Sequence, residues 1–227
     1  MEEKRIAALK AAEYIESNMV VGLGTGSTAF YLIEKVGEMV SKGLKLKAVA
    51  TSQSTTKLAE EHGIPLVAID EVDKIDLAID GVDEIDSNFN AIKGGGGALF
   101  REKMVANLAH RVIWIMDSSK VVDSIGAFPL PVEILPYGHR HIIKKLEDLS
   151  LNPVLRINNE SPFITDNFNC IVDLQLEKGF DIAAVSEKLQ SVTGVLETGL
   201  FLNQCERIII GTSNGARIME NNKRKDT

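Results

Sequence analysis

The stretch Lys93 to Lys103, KGGGGALFREK, places four consecutive glycines between a lysine and a segment that carries Glu102. Each glycine inside a regular element costs roughly 0.5 to 1 kcal/mol, so a run of them needs a reason. One reason is a slack surface loop. The other is chemical: Gly94, Gly95 and Gly96 let main chain come close to an oxyanion and offer it N–H groups. Lys93 then adds a positive charge, and Glu102 is a carboxylate able to move a proton. Taken alone, Glu102 reads equally well as a first-turn acid between Arg101 and Lys103 on a solvated helix face.

An acidic stretch precedes the glycines. LAIDGVDEID, Leu77 to Asp86, ends an apolar run in Asp80 and continues through Gly81, Val82 and Asp83. An Asp-Gly pair is commonly a solvated turn. Carboxylates at a strand end, however, suit a ligand whose hydroxyl groups are bound or deprotonated. An anion is provided for elsewhere, in VVGLGTGSTAFYLI, Val20 to Ile33. There a strand, a turn and a helix start bring the N–H groups and hydroxyls of Thr25, Gly26, Ser27 and Thr28 to the positive end of a helix. A dinucleotide fingerprint starting at Gly22 would need glycine where Ser27 stands, and no Gly-Lys-Ser/Thr makes a Walker loop. A small phosphate fits; a glycine turn with a capped helix is the alternative. Lys120, in MDSSK after another strand, falls on the same rim, and Lys4 can reach it from the first helix. Several loops sharing one edge point to a sugar phosphate more strongly than any single motif. His139 and His141 flank Arg140, while His62 and His110 read as helix ends. Without HExxH or a cysteine pair, no metal site is expected.

Strand ends must hold these residues. Short, nearly continuous apolar runs at 19–23, 46–51, 65–69, 77–80 and 112–117 alternate with helical patterns at 28–40, 54–61 and 98–109. A first helix precedes them, with apolar Ile6, Leu9, Ala12 and Ile15. That order predicts a parallel sheet covered on both faces, with its ligand beyond the carboxyl ends of the strands. After Phe128-Pro129-Leu130-Pro131 the pattern becomes strand 132–135, helix 141–149, strands 154–157 and 170–176, helix 182–192 and strand 195–197. This is the βαββαβ order of a ferredoxin-like domain. The apolar RIIIGT, Arg207 to Thr212, is expected to return to the first sheet. The fold class is therefore α/β, an open, mostly parallel sheet with an inserted smaller α+β domain. The first domain spans 1–128 and 200–227, and the insert spans 129–199.

Composition narrows the partners. The chain has 227 residues, 32 acidic against 25 basic, and a net charge of −7. No general field favours a nucleic-acid backbone or an anionic membrane. The basic run Lys223-Arg224-Lys225 reads as a frayed terminus. Cys170 and Cys205 lie in apolar stretches without CxxC spacing and read as reduced thiols. Together with the lack of a signal-like or membrane-spanning apolar run, they predict a cytoplasmic protein.

With these motifs the chain resembles the ribose-5-phosphate isomerase type A family over nearly its full length. The resemblance is carried by GLGTGST (22–28), DGVDEID (80–86), KGGGGALFREKMV (93–105), DSSK (117–120), PFITDN (162–167) and GVLETGLF (194–201). The second and third at this spacing are highly specific, whereas GTGST alone is weak. The resemblance implies a Rossmann-like main domain and a small α+β domain. It also implies a cofactor-independent aldose–ketose isomerase acting on ribose 5-phosphate and ribulose 5-phosphate, as a homodimer or alternatively a tetramer. Matched motif by motif, Glu102 falls on the family's proton acceptor. Thr25 to Thr28, Asp80, Gly81, Val82, Asp83, Lys93, Gly94 to Gly96 and Lys120 fall on substrate positions. Asp80, Asp83 and Lys93 would join Glu102 as the catalytic set. Two departures lie in the insert: Phe168 replaces the glycine of a TDNGN pattern, and YGHRH at 137–141 is foreign to the family. Rival functions are a coenzyme A transferase, a sugar-phosphate deaminase and a sugar-phosphate sensor without catalysis. A sensor would need an output module, and none is visible.

Overall fold

The computed structural model describes residues 1–222, and the run Lys223-Arg224-Lys225 lies outside them. In chain order the elements begin with α1 (Glu2–Ala12), β1 (Val20–Leu23), α2 (Ser27–Ser41), β2 (Lys47–Ala50) and α3 (Gln53–Glu61). Next come β3 (Ile75–Gly81), β4 (Glu84–Ile85), β5 (Asn90–Ile92), α4 (Leu99–Leu108) and β6 (Ala109–Asp117). They continue with β7 (Leu130–Ile134), α5 (His139–Asp148), β8 (Pro153–Leu155), β9 (Ile157–Asn158), β10 (Ser161–Pro162) and β11 (Cys170–Leu174). The last are α6 (Ile182–Gln190), β12 (Val195–Thr198), β13 (Leu200–Leu202), β14 (Arg207–Thr212) and β15 (Gly215–Glu220). The chain divides into two compact units, one of residues 1–82, 101–121 and 202 onward, the other of residues 83–100 and 122–201.

The first unit is built on a sheet ordered β15-β14-β6-β3-β1-β2. All neighbours pair in parallel except β15, which lies antiparallel on β14. Val21, Leu23, Leu77, Ile79, Ile113, Ile115 and Ile209 are all buried, as strands covered on both faces require. From β1 the chain moves to β2 on one side and returns to β3 on the other, so the crevice of the switch point opens at the carboxyl ends of β1 and β3. RIIIGT joins this sheet as β14 beside β6.

Three local expectations are corrected. The strand at 65–69 is reduced to a bridge between Ala48 and Leu66 with a 3₁₀ turn at Ile69–Glu71, because Pro65 has no N–H to extend a ladder. The strand β15 is an addition to the expected ones: its residues are exposed or half-buried, and Ile218 packs against the core. On α1 the buried face is Ala7, Ala8, Ala11 and Ala12, not Ile6 and Leu9. Small side chains there let the helix touch β14: a Cβ on Gly211 would lie 1.7 Å from the Glu3 carbonyl oxygen.

The second unit carries an antiparallel sheet ordered β12-β7-β11-β8 with α5 and α6, the ferredoxin-like order. Leu130, Val132, Ile134, Ile142, Leu146, Val172, Val185 and Leu189 form its core. A second, smaller sheet is ordered β13-β5-β4. Between the core residues of β7 stands Glu133, fully buried, whose Oε1 accepts bonds from Thr165 Oγ1 (2.9 Å), Asn167 Nδ2 (3.2 Å) and Asn169 Nδ2 (2.9 Å). Thr165 and Asn167 of PFITDN, with Asn169 just after it, are thus donors closing around a carboxylate. Phe168, inside that turn, takes φ +65° and leaves 78% of its surface exposed. The turn keeps a left-handed residue without glycine, at a cost of about 1–2 kcal/mol. No helix among the described residues is long and apolar enough to cross a membrane.

Candidate active site

The carboxyl edge of the first unit is organised by one carboxylate. Asp80 is 3% exposed, and its Oδ1 accepts the N–H groups of Thr25 at 3.0 Å and Gly81 at 2.7 Å. This ties the loop after β1 to the end of β3 across the switch point. Gly24 is needed for that approach, since a Cβ there would lie 2.0 Å from Asp80 Oδ1. The Thr25 hydroxyl turns inward, 2.7 Å from Thr51 Oγ1, 2.9 Å from Ser52 Oγ and 3.1 Å from Thr55 Oγ1. Ser52 caps α3 by accepting the Thr55 N–H at 3.0 Å, and Thr55 Oγ1 donates to the Gly24 carbonyl at 2.9 Å. Thr51, Ser52 and Thr55, around the junction of the expected strand 46–51 and helix 54–61, are singled out by no motif. Their shared hydroxyl chemistry was the available signal. The first turn of α2 has no side-chain cap at Gly26, so its N–H groups and the exposed Ser27 hydroxyl are presented at the rim. Thr28 is 8% exposed.

α1 reaches the same edge. Lys4 Nζ donates to Ser27 Oγ at 2.9 Å and lies 3.9 Å from Asp117 Oδ2. Glu3 Oε2 accepts from the N–H and hydroxyl of Ser118 at 3.0 and 2.8 Å. Lys120 ends the 3₁₀ turn that follows β6. Burial pushes the Asp117 carboxyl up, but bonds from Ser119 and the charges of Lys4 and Lys120 outweigh it and hold the group below its ordinary 3.8.

Glu102 is placed by helix packing. Val105 presses on β1, where a Cβ on Gly22 would lie 2.5 Å from its Cγ1. Glu102 is one turn earlier on the same face of α4, towards the helix N-terminus and hence towards the carboxyl edge of a strand-antiparallel helix. It is 6% exposed, which removes the solvated-face reading.

In the second unit Asp83, Lys93 and Gly94 to Gly96 form a cluster of their own. The Asp83 N–H donates to the Ile92 carbonyl at 2.8 Å, and its Oδ2 accepts the Gly95 N–H at 2.8 Å. Lys93 is 2% exposed, with Nζ 5.3 Å from the centre of the Phe201 ring. Its N–H donates to the Gly199 carbonyl at 2.9 Å, and a Cβ on Gly199 would lie 2.3 Å from the Lys93 carbonyl oxygen. GVLETGLF thereby acquires a task, that of seating Lys93, which its sequence alone did not disclose. The remaining acids of DGVDEID are structural: Glu84 accepts the N–H groups of Gly126 (2.8 Å) and Phe128 (2.9 Å), and Asp86 those of Asn88 and Asn90. The expected residues therefore divide, with Thr25 to Thr28, Asp80 to Val82, Glu102 and Lys120 in the first unit and Asp83, Lys93 and Gly94 to Gly96 in the second. A cleft of about 630 Å³ between α2 and α3 shares Gly26 and Ser27 with the edge, but its other walls, among them Phe30, Lys57, Leu58 and Glu61, carry none of Asp80, Asp83 and Glu102.

Comparison with known proteins shows what the chain is similar to. Residues 47–215 match the family model of ribose 5-phosphate isomerase A (phosphoriboisomerase A). The chain is 47% identical over 220 residues to the ribose-5-phosphate isomerase A of Bifidobacterium adolescentis, covering 96% of this chain and 95% of that one. It is 48% identical over 225 residues to the ribose-5-phosphate isomerase A of Streptococcus mutans, covering 98% and 100%. Among solved structures, the ribose 5-phosphate isomerase from Plasmodium falciparum superposes with a TM-score of 0.92 at 38% identity, covering 96% of this chain and 98% of that one. A D-ribose-5-phosphate isomerase in complex with phospho-erythronic acid gives 0.91 at 39% identity, covering 96% and 97%.

Proposed function

The chain belongs to the ribose 5-phosphate isomerase A family, and from that premise we propose that it interconverts D-ribose 5-phosphate and D-ribulose 5-phosphate through a cis-enediolate with Glu102 as general base. The reaction is the aldose–ketose isomerisation of the non-oxidative branch of the pentose phosphate pathway, carried out in the cytoplasm by a homodimer. The Glu102 carboxylate removes the proton from C2 of the open-chain aldose and returns it to C1. Between the two steps the electrons of the broken C–H bond form the C1=C2 bond, and the carbonyl oxygen gains the negative charge. A positioned base is worth about 10² to 10⁴ in rate. Lys93 and the N–H groups of the glycine loop stabilise the oxyanion, and each such donor is worth about 3 to 4 kcal/mol. Asp80 or Asp83 exchanges hydroxyl protons during ring opening and between O1 and O2. The loop from Thr25 to Thr28 and Lys120 hold the phosphate, so that binding at one end orients the carbons at the other.

The observation that carries this reading is the burial of the Glu102 side chain on the helix face directed at the carboxyl edge, where a base can work away from water. The test is release of label from ribose 5-phosphate deuterated at C2. The wild-type protein is expected to exchange the label and form ketose in excess chelator. Glu102→Gln is expected to do neither, and exchange by that variant at near wild-type rate would remove Glu102 as the base.

A further inference from the structure

Arg156, in the short segment between β8 and β9, was singled out by no motif. Its Nε donates to Asp173 Oδ2 at 2.8 Å and its Nη2 to Asp173 Oδ1, in a pair whose side chains are 15% and 19% exposed. The remaining Nη1 donates to the carbonyl oxygens of Gly94 at 3.1 Å and Gly95 at 3.0 Å. The guanidinium also stands 5.7 Å from the centre of the Phe163 ring. Phe163 in turn fills the space beside Gly97, where a Cβ would lie 2.4 Å from its ring. This accounts for the phenylalanine of PFITDN, which the isomerase reading leaves without a task.

A trans peptide places its C=O and N–H on opposite sides. Drawing two successive carbonyls to one nitrogen therefore turns the N–H groups of Gly95 and Gly96 together to the other side. The Gly95 N–H does face away, onto Asp83 Oδ2 at 2.8 Å, and both glycines are exposed. Consecutive N–H groups on one side make an anion-binding concavity. Glycine without a restraint would sample many such arrangements; a guanidinium fixed by a bidentate carboxylate selects one.

We infer that Arg156, held by Asp173, is a positioning residue of the reaction, one that sets the glycine loop so that the Gly95 N–H holds Asp83 and the Gly96 N–H, turned to the same side, donates to the substrate's oxyanion. This role rests on the isomerase reading above.

Three variants test it. Arg156→Lys keeps the charge and loses the fork. Asp173→Asn loosens the fork. The double variant Arg156→Met with Asp173→Leu removes both charges and leaves neither orphaned, so it keeps the fold if either single change does not. In all three kcat is expected to fall about 10- to 100-fold with KM within about threefold, the effect of donors displaced rather than deleted. Affinity for phospho-erythronic acid, whose carboxylate stands in for the oxyanion, is expected to fall with kcat, while inhibition by inorganic phosphate stays unchanged. A pair that serves only stability would leave kcat and acid affinity at wild-type values in the folded double variant and in Arg156→Lys, and that result overturns the role. A wild-type chain that makes no ketose would instead remove the isomerase reading itself.

Discussion

Gly24 and Asp80 depend on each other through contact. A methyl group at 24 would displace the carboxylate that anchors the Thr25 N–H, so Gly24→Ala is expected to cost about 1–3 kcal/mol for a buried acceptor robbed of its donor. Most of the activity should be lost with it. Urea unfolding and ketose formation measure the two losses, and a stable, active Gly24→Ala would refute the coupling. Phe168 offers the opposite change. Its left-handed φ costs about 1–2 kcal/mol, and glycine's greater unfolded freedom costs about 0.5–1 kcal/mol. Phe168→Gly should therefore stabilise the chain by about 0.5–1 kcal/mol, read as a rise in the denaturation midpoint at unchanged slope. Cys170 and Cys205 are 3% and 0% exposed, and burial pushes the Cys170 thiol above its ordinary 9.0. Both are expected to resist a thiol reagent at neutral pH in the native protein and to react once it is unfolded.

At the scale of elements, the N-terminus of α3 serves β1 more than itself. Thr55 Oγ1 holds the Gly24 carbonyl and meets the Thr25 hydroxyl. Thr55→Val keeps the shape but leaves buried partners unpaired, and should cost about 1–3 kcal/mol and raise KM for the sugar phosphate. Thr55→Ser should restore KM, as a purely steric role would not. The expected helices and strands were mostly legible because their apolar periods are strong, as in RIIIGT. The exceptions share a cause: β15 and the bridge at Leu66 lie at edges of the sheet, where one side of the backbone pairs and little apolar surface is needed. The alanine face of α1 was illegible for a related reason. Hydrophobic size predicts burial, yet the closeness demanded at Gly211 favours the smallest side chains.

For the molecule as a whole, net charge and the placement of acids set the response to pH. Glu38, bonded by Lys42 and Lys35, titrates at about 2 in place of 4.5, and Asp117 lies below 3.8. Both values are depressed by folding, so their contribution is complete above the ordinary carboxylate range and is lost as pH falls through the folded values. The urea midpoint should stay level from about pH 7 to 5 and drop below about 4.5. Glu38→Gln should flatten part of that drop, and salt should do the same because the Glu38 pairs are exposed and screened.

The mostly parallel sheet and the ferredoxin-like order of β7 to β12 were readable from the chain, because short-range periodicity is a local property. Local order could not say which of the four acids in DGVDEID are bound to backbone, why Thr25 faces its neighbours' hydroxyls, or that Arg156 reaches back 62 residues to Gly94. Those facts depend on which strands become neighbours. A sheet brings together residues remote in sequence, and a hydrogen bond or a close glycine contact exists only where that pairing brings the atoms within reach.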